Sequence, residues 1–175
     1  MSDVTAASVP RPITYCERWN SVLRKPITVL SDEQANARHQ SGELYTAVIG
    51  DLGKPELLIE VRLERDYVGV WFFDEDSTLR VLKYTFKRTS PDTMFMTKVG
   101  TWSYAEDARQ DLRGAHTIES VHYQSDGTVR QESTDVVAAE TTVSEYSGVS
   151  VDINAEPVPV FGQWDSLARR DRAGA

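Results

Sequence analysis

The sequence predicts a mainly β protein with some helix (α+β), in which about eight or nine strands form a strongly curved antiparallel meander or barrel. The stretch 56–64 alternates apolar and charged residues strictly, which is typical of a strand with one buried face. The stretch 67–73 is apolar on both faces, so it needs a second layer or a cavity-bearing interior around it. The connections between strands are too short for crossover helices, so we expect antiparallel neighbours.

Three short helices complete the predicted fold. A capping box at 14–17 is followed by apolar residues at helical spacing, and Pro26 ends that first helix. A second capping box at 31–34 opens a polar surface helix that ends near Gly42. The stretch 164–172 predicts a short C-terminal helix.

Strands separated by turn residues fill the middle of the chain. The predicted strands lie at 43–49, 56–64, 67–73, 79–88, 93–104, 117–124, 129–137, 140–146 and 149–153. The pair Asp126 and Gly127 is typical of a type I′ turn, because both positions then need a positive φ. Such a two-residue turn would place His122 opposite Gln131.

The domain organisation predicted for the 175 residues is simple. Residues 1–12 are expected to be a mobile leader, because they are small, polar and rich in proline. Residues 13–165 form a single β-rich domain with a core of its own. The arginine-rich end, 166–175, is expected to be a polar, solvated tail.

The composition indicates which kinds of partner and which cellular compartment to expect. A net charge of −8 argues against a nucleic-acid partner, since phosphate binding needs a basic surface. No apolar stretch approaches the roughly 20 residues that span a bilayer, so no membrane association is expected. The single cysteine, Cys16, excludes an internal disulfide. These features favour a soluble protein of the cytoplasm.

The known catalytic and cofactor motifs are absent, and we predict neither a cofactor nor a metal. The three histidines are His39, His116 and His122. His39 falls on the polar helix and is expected to be inert. His116 and His122 would share a strand face, but a zinc site would need a further ligand from across the sheet.

An aromatic-walled pocket is the predicted functional site, because small-ligand sites combine apolar walls with a few convergent polar groups. Its expected ligand-binding residues are Trp71, Phe73, Phe86, Met94, Met96 and Trp102. Its expected acid/base residues are His122, Lys98, Tyr84 and Tyr104. Met94, Met96, Lys98, Trp102 and Tyr104 are predicted to share one strand face, which would place Lys98 among the rings as a polar anchor.

At the level of architecture this layout resembles the lipocalin-like ligand-binding barrels. The predicted function is therefore the binding of a small apolar molecule. If the protein turns that molecule over, it is expected to be a cofactor-free isomerase or cyclase that works by positioning and one acid/base contact. The alternative is a non-enzymatic acidic protein that neutralises a basic protein partner. Its working surface would be five carboxylates, namely Glu60, Glu64, Asp74, Glu75 and Asp76.

Overall fold

A computed structural model describes residues 11–76, 79–105 and 114–172 and places eleven strands in one antiparallel sheet. The strands are β1 (Ile13–Asn20), β2 (Lys25–Leu30), β3 (Tyr45–Asp51), β4 (Lys54–Arg62), β5 (Tyr67–Phe73), β6 (Arg80–Ser90), β7 (Thr93–Tyr104), β8 (Ala115–Tyr123), β9 (Val129–Asp135), β10 (Glu140–Tyr146) and β11 (Ala155–Pro157). Their order is β10-β9-β8-β7-β6-β5-β4-β3-β1-β2, and β11 pairs with β7. The predicted antiparallel, mainly β fold is confirmed.

The sheet is open, so the predicted barrel is wrong. The strand order ends at β2 on one side and at β10 on the other, and these two strands do not pair with each other. Closure depends on strand tilt and stagger around the whole ring, which the alternation of apolar residues does not determine. Within β2, Thr28 has a φ of 50°. A β-branched residue rarely adopts this left-handed conformation, and it interrupts the extended backbone of the edge.

The first predicted helix is also wrong, because residues 14–23 belong to a hairpin made of β1, β2 and their turn. Tyr15 and the adjacent Cys16 are both buried, but they belong to different core clusters. Adjacent side chains that point to opposite sides are the signature of a strand. The pairing of β1 with both β2 and β3 thus outweighs a capping-box spacing that any short polar segment can match.

The second predicted helix is confirmed as α1, Asp32–Ser41. The Ser31 hydroxyl accepts a hydrogen bond from the Gln34 backbone N–H at 3.2 Å, and the Gln34 side chain accepts one from the Ser31 N–H at 2.9 Å. These two bonds form the capping box that the sequence predicts. Gly42, with a φ of 81°, closes the helix.

The C-terminal part departs from the prediction in two places. Residues 164–172 form turns where a helix was predicted, with one helical hydrogen bond from the Ala168 N–H to the Trp164 carbonyl at 2.8 Å. The predicted strand 149–153 is also not formed, and a single 3-10 turn, Asp152–Asn154, follows instead. The Asn154 side chain donates to the Met96 carbonyl at 3.1 Å, which fixes the chain beside β7.

The sheet has two faces with different surroundings. The inner face carries the larger core cluster and is covered by α1 and by residues 155–172, which we call the C-terminal strap. From these covering elements Ala35, Trp164 and Leu167 enter that cluster. The outer face carries a smaller cluster, which consists of Cys16, Trp19, Val48, Leu58, Phe73 and the half-buried Trp71.

A β-bulge in β7 separates residues that were predicted to share a face. Thr85 pairs with Lys98, whereas its neighbour Phe86 pairs with Met96, so Thr97 is an extra residue in β7. The bulge reverses the alternation beyond it. Met94 and Met96 are in the inner cluster, and the set Lys98, Gly100, Trp102 and Tyr104 lies on the outer face. The predicted common face for Met94, Met96, Lys98, Trp102 and Tyr104 is therefore wrong.

The β8–β9 hairpin differs from its prediction by one residue in register. Its loop runs over 124–128: the Gln124 N–H donates to the Thr128 carbonyl at 2.9 Å, and the Gly127 N–H donates to the Gln124 carbonyl at 3.1 Å. Gly127 has the positive φ, 83°. The longer loop places His122 opposite Arg130, where Gln131 was predicted.

Candidate binding surface

Four predicted site residues form the inner core beneath the C-terminal strap. Tyr84, Phe86, Met94 and Met96 are each at most 1% exposed. The Tyr84 hydroxyl donates a hydrogen bond to the Arg170 carbonyl, and the Arg172 guanidinium lies 5.3 Å from the centroid of the Phe86 ring. The strap thus covers these side chains directly, and they act as packing residues of this layer.

An ion pair is buried where the strap meets β7. Glu156, in β11, and Arg172 are 6% and 5% exposed, and they form a direct salt bridge. Arg169 donates to the same carboxylate oxygen at 2.7 Å. Burial raises the pKa of the Glu156 carboxyl, but the hydrogen bond and charge of Arg172, with help from Arg169, outweigh burial and leave the pKa below its usual value. Arg172 is thus buried and paired, although a solvated tail was predicted here.

His39 connects α1, the inner core and the strap, although it was predicted to be inert. Its Nδ1 lies 2.9 Å from the Tyr45 hydroxyl, and the Pro159 carbonyl accepts a hydrogen bond from the ring. Since a proline has no N–H, the ring must donate there, which leaves Nδ1 to accept from Tyr45. The rings of Phe161 and Trp164 lie 5.9 and 6.4 Å from the imidazole.

This arrangement predicts a pH dependence of stability. Burial lowers the pKa of His39 in the folded protein, so folding favours the neutral ring, and its contribution to stability is present above the unfolded pKa of about 6.5 and lost as the pH falls. We expect His39→Gln, which retains an acceptor for Tyr45, to reduce the loss of unfolding free energy between about pH 7.5 and 5.5. Urea unfolding at both pH values measures it. His116→Gln, at an exposed histidine on β8, is the control, and an unchanged pH dependence in His39→Gln would contradict the assignment.

On the outer face, two tryptophans form an ordered pair. The rings of Trp71 and Trp102 stack with centroids 5.5 Å apart and an interplanar angle of 30°. The Trp71 indole N–H donates to Glu60 at 2.8 Å, and the Tyr67 hydroxyl donates to the same carboxylate oxygen at 3.3 Å. A Cβ at Gly100 would lie 2.9 Å from the Trp102 ring. The glycine therefore lets that ring lie flat over the strand.

Cations surround this pair. The Arg80 guanidinium and the Lys83 ammonium lie 4.1 and 4.3 Å from the centroid of the Trp71 ring, within the range of cation–π attraction. Lys83 and Lys87 lie 5.6 and 5.5 Å from the Tyr67 ring. Burial lowers the pKa of Lys83; Glu60 opposes this, and the charges of Arg80 and Lys98 add to it.

Two of the predicted acid/base residues, Lys98 and His122, are direct neighbours further along the outer face. They occupy opposite positions on β7 and β8. Burial lowers the pKa of His122, and the Lys98 charge lowers it further, so the ring is neutral near pH 7.

An open cleft lies at the end of the outer face, beside the tryptophan pair. Its volume is about 570 Å³, and its lining consists of Asp74, Asp76, Leu79, Val81, Trp102, Ser103, Tyr104 and Ala105. The Tyr104 hydroxyl donates to the Arg80 carbonyl at 3.0 Å, which holds this wall of the cleft. From the predicted site, Trp102 and Tyr104 thus line one cleft. Phe73 lines a second cleft of about 550 Å³ together with Phe72, Arg11 and Arg170.

The five carboxylates of the alternative hypothesis do not form one exposed cluster. Glu60 is half-buried and accepts hydrogen bonds from two rings, and Glu64 pairs with Arg62 at 2.8 Å. Asp74, Glu75 and Asp76 lie together at the β5–β6 turn. The sequence interpretation missed Glu60, Arg80 and Lys83 as partners of the rings. The alternation of Lys83 and Lys87 with Tyr84 and Phe86 along β6 indicates only that the two lysines lie on the opposite face from these rings.

Other chemistry finds little support in the described ranges. In residues 11–76, 79–105 and 114–172, no group of three or more histidine, cysteine, aspartate or glutamate side chains could hold a metal ion. Burial raises the pKa of the Cys16 thiol to about 11, so it is protonated at neutral pH and is a poor nucleophile. Across the same ranges, no helix has the length and apolar character that crossing a bilayer requires.

Comparisons with known proteins assign no family. No protein-family model, no curated protein and no solved structure matches this chain.

Proposed function

We propose that the protein binds a small, largely apolar molecule in the cleft beside Trp102 and Tyr104. The observation that carries this proposal is the cleft itself, which has a volume of about 570 Å³ and walls that combine aromatic and aliphatic side chains with polar ones. Ligand sites in proteins are typically clefts of about 300–1,000 Å³ with apolar walls and a few polar groups. Here Leu79 and Val81 supply aliphatic surface, and the carboxylates of Asp74 and Asp76 supply polarity.

The wall of this cleft is pre-organised, which supports binding. Trp102 stacks on Trp71, and Trp71 is in turn held by its hydrogen bond to Glu60. A ring that is already fixed loses little conformational freedom when a ligand packs against it. A flat ligand can therefore contact Trp102 without first ordering the site.

Turnover by a cofactor-free isomerase or cyclase has weaker support than binding. An acid or base must reach the reacting atoms, and Tyr104 lines the cleft whereas Lys98 is six residues away along β7, or about 20 Å at the rise of a strand. The alternative of an acidic protein that binds a basic partner also has less support. Three neighbouring carboxylates at one turn are a small surface for such an interaction.

The binding proposal predicts a large effect of one substitution. Phenylnaphthylamine, a neutral apolar dye whose emission rises in apolar sites, is expected to bind saturably, and Trp102→Ala is expected to weaken its binding at least about tenfold. Trp102→Phe keeps an aromatic wall and should retain most of the affinity. Dye titration at fixed protein concentration measures both.

The control is Val143→Ala, which trims an exposed side chain on β10, away from the cleft. Thermal unfolding of each variant shows that the fold is retained. Equal dye affinity in the original protein and in Trp102→Ala would place the dye elsewhere and contradict the proposed site.

A further inference from the structure

Positive charge is concentrated on the outer face of an acidic protein. The chain has a net charge of −8, yet Arg80, Lys83, Lys87 and Lys98 all lie on two adjacent strands, β6 and β7. Lys83 and Lys87 pair with Trp71 and Tyr67 across the ladder, which places them on the face that carries the tryptophan pair. Within the described residues, none of these four cations forms a salt bridge, whereas Arg62 and Arg130 do.

The charge of Glu60 acts on Arg80 and Lys83, but among the described residues Glu60 forms no salt bridge with either of them. Glu60 receives hydrogen bonds on one oxygen from Trp71 and Tyr67, so this oxygen is engaged by ring donors. The Arg80 Nε–H is buried and has no hydrogen-bond acceptor, although its guanidinium also contacts Ser21. A buried donor without an acceptor costs stability, and an anion is the partner that would satisfy it best.

The repulsion between these cations also favours an anionic partner. After burial, the charges of Arg80 and Lys98 contribute to lowering the pKa of Lys83, and Glu60 alone opposes them among the causes. Burial of the Lys83 ammonium beside two further cations therefore disfavours its charged form, and Glu60 offsets part of this effect. A negatively charged group among them would remove that repulsion and gain the charge–charge attraction.

We propose that the ligand carries an anionic group, a carboxylate or a phosphate, on a planar aromatic body, and that Lys83 and Lys98 with Arg80 bind this group beside the Trp71–Trp102 pair. This inference rests on the proposed function, since Trp102 both lines the cleft and stacks on Trp71. Lys83 and Arg80 lie over the Trp71 ring, so the anionic group belongs on that side of the ring pair. The ring of the ligand would pack on Trp102.

Two dyes of similar shape and different charge test it. Anilinonaphthalene sulfonate is anionic, and phenylnaphthylamine is its neutral counterpart. We expect Lys83→Met, which keeps the aliphatic stem, to weaken the binding of the sulfonate dye about tenfold. The affinity for the neutral dye should stay unchanged. Lys98→Met is a second variant with the same expectation. Lys25→Met, an exposed lysine on β2, is the matched control and should change neither dye.

The outcomes separate the two proposals. If both dyes bind equally well and Lys83→Met and Lys98→Met affect neither, the anionic group is excluded and the proposed cleft stands. If neither dye binds the original protein, the proposed function fails and this inference fails with it. If the expected difference is seen, displacement of the sulfonate dye by naphthoate and by naphthyl phosphate shows which headgroup is preferred. Added salt should weaken the binding of the sulfonate dye and leave the binding of the neutral dye unchanged.

Discussion

Glu156→Gln is expected to lower the free energy of unfolding by about 3–5 kcal/mol, the range for breaking a buried ion pair by removing one partner. The substitution keeps the shape of the side chain and an acceptor oxygen. It leaves the Arg172 guanidinium, whose side chain is 1% exposed, without a counter-charge. Two further nitrogens of Arg172, Nε and Nη2, already lack a hydrogen-bond acceptor, so the remaining charge would have little compensation.

Urea unfolding at neutral pH measures this effect, with Glu145→Gln on the exposed β10 strand as the control. The double variant Glu156→Gln with Arg172→Met should recover part of the loss, because it removes the unpaired charge. The pH dependence follows from the lowered pKa of Glu156. Its stabilisation is present above the unfolded pKa of about 4.3 and is lost as the pH falls, so Glu156→Gln should be less sensitive to acid. A change below about 0.5 kcal/mol would show that the pair does not stabilise the strap.

Trp164→Ala is expected to destabilise the fold by about 3–5 kcal/mol, as large-to-small changes of buried tryptophans do. Trp164 is 3% exposed, and its ring lies 6.4 Å from Tyr45 and 6.2 Å from Phe161. Its indole N–H donates to the Tyr15 hydroxyl at 3.3 Å. Removing the ring opens a cavity between strap and sheet and leaves that hydroxyl without a donor.

Thermal and urea unfolding both report on this variant. The adjacent Asp165→Ala is the matched control. The Asp165 side chain is fully exposed and forms a surface ion pair with Arg11 at 3.7 Å, so we expect a change within about 0.5 kcal/mol. Similar stabilities for the two variants would show that Trp164 does not anchor the strap on the sheet.

Much of the sheet follows from alternation alone. The predicted strands 67–73, 93–104 and 140–146 coincide with β5, β7 and β10. Each of these segments has a strong strand composition and is bounded by turn residues, so local signals and tertiary pairing agree. Two capping boxes of equal appearance had opposite outcomes. The box at 31–34 opens a segment with little apolar character, whereas the residues after the box at 14–17 gain more by pairing with β3.

The wrong predictions have two causes: single extra residues, and contacts between segments that are distant in the sequence. The extra residue Thr97 leaves no mark in composition, yet it decides which face Met96 and Lys98 occupy. The strap is rich in charged residues, and the burial of Arg172 depends on its ion pair with Glu156. These two residues are distant in the sequence but adjacent in the fold. A partner that lies in another element cannot be read from local pattern.

For the candidate site, the aromatic residues were predicted from the sequence, but the charged residues beside them were not. Trp102 and Tyr104 were predicted as site residues, and both line the cleft. Lys83 alternates with buried aromatics along β6, which reads equally well as the solvent-facing side of an ordinary strand. Only the pairing of β5 with β6 shows that Lys83 lies opposite Trp71.

The open sheet also limits how copies of this molecule could polymerise. Free edges can recruit a strand from another molecule, and growth into a filament needs two edges that both accept one. The left-handed Thr28 divides β2 into short extended pieces, whereas β10 is a free edge of seven residues. Of the two ends of the strand order, β10 is thus the regular edge, and edge-to-edge pairing through it would end at two molecules. The positive φ of Thr28 would then limit this kind of assembly to a dimer.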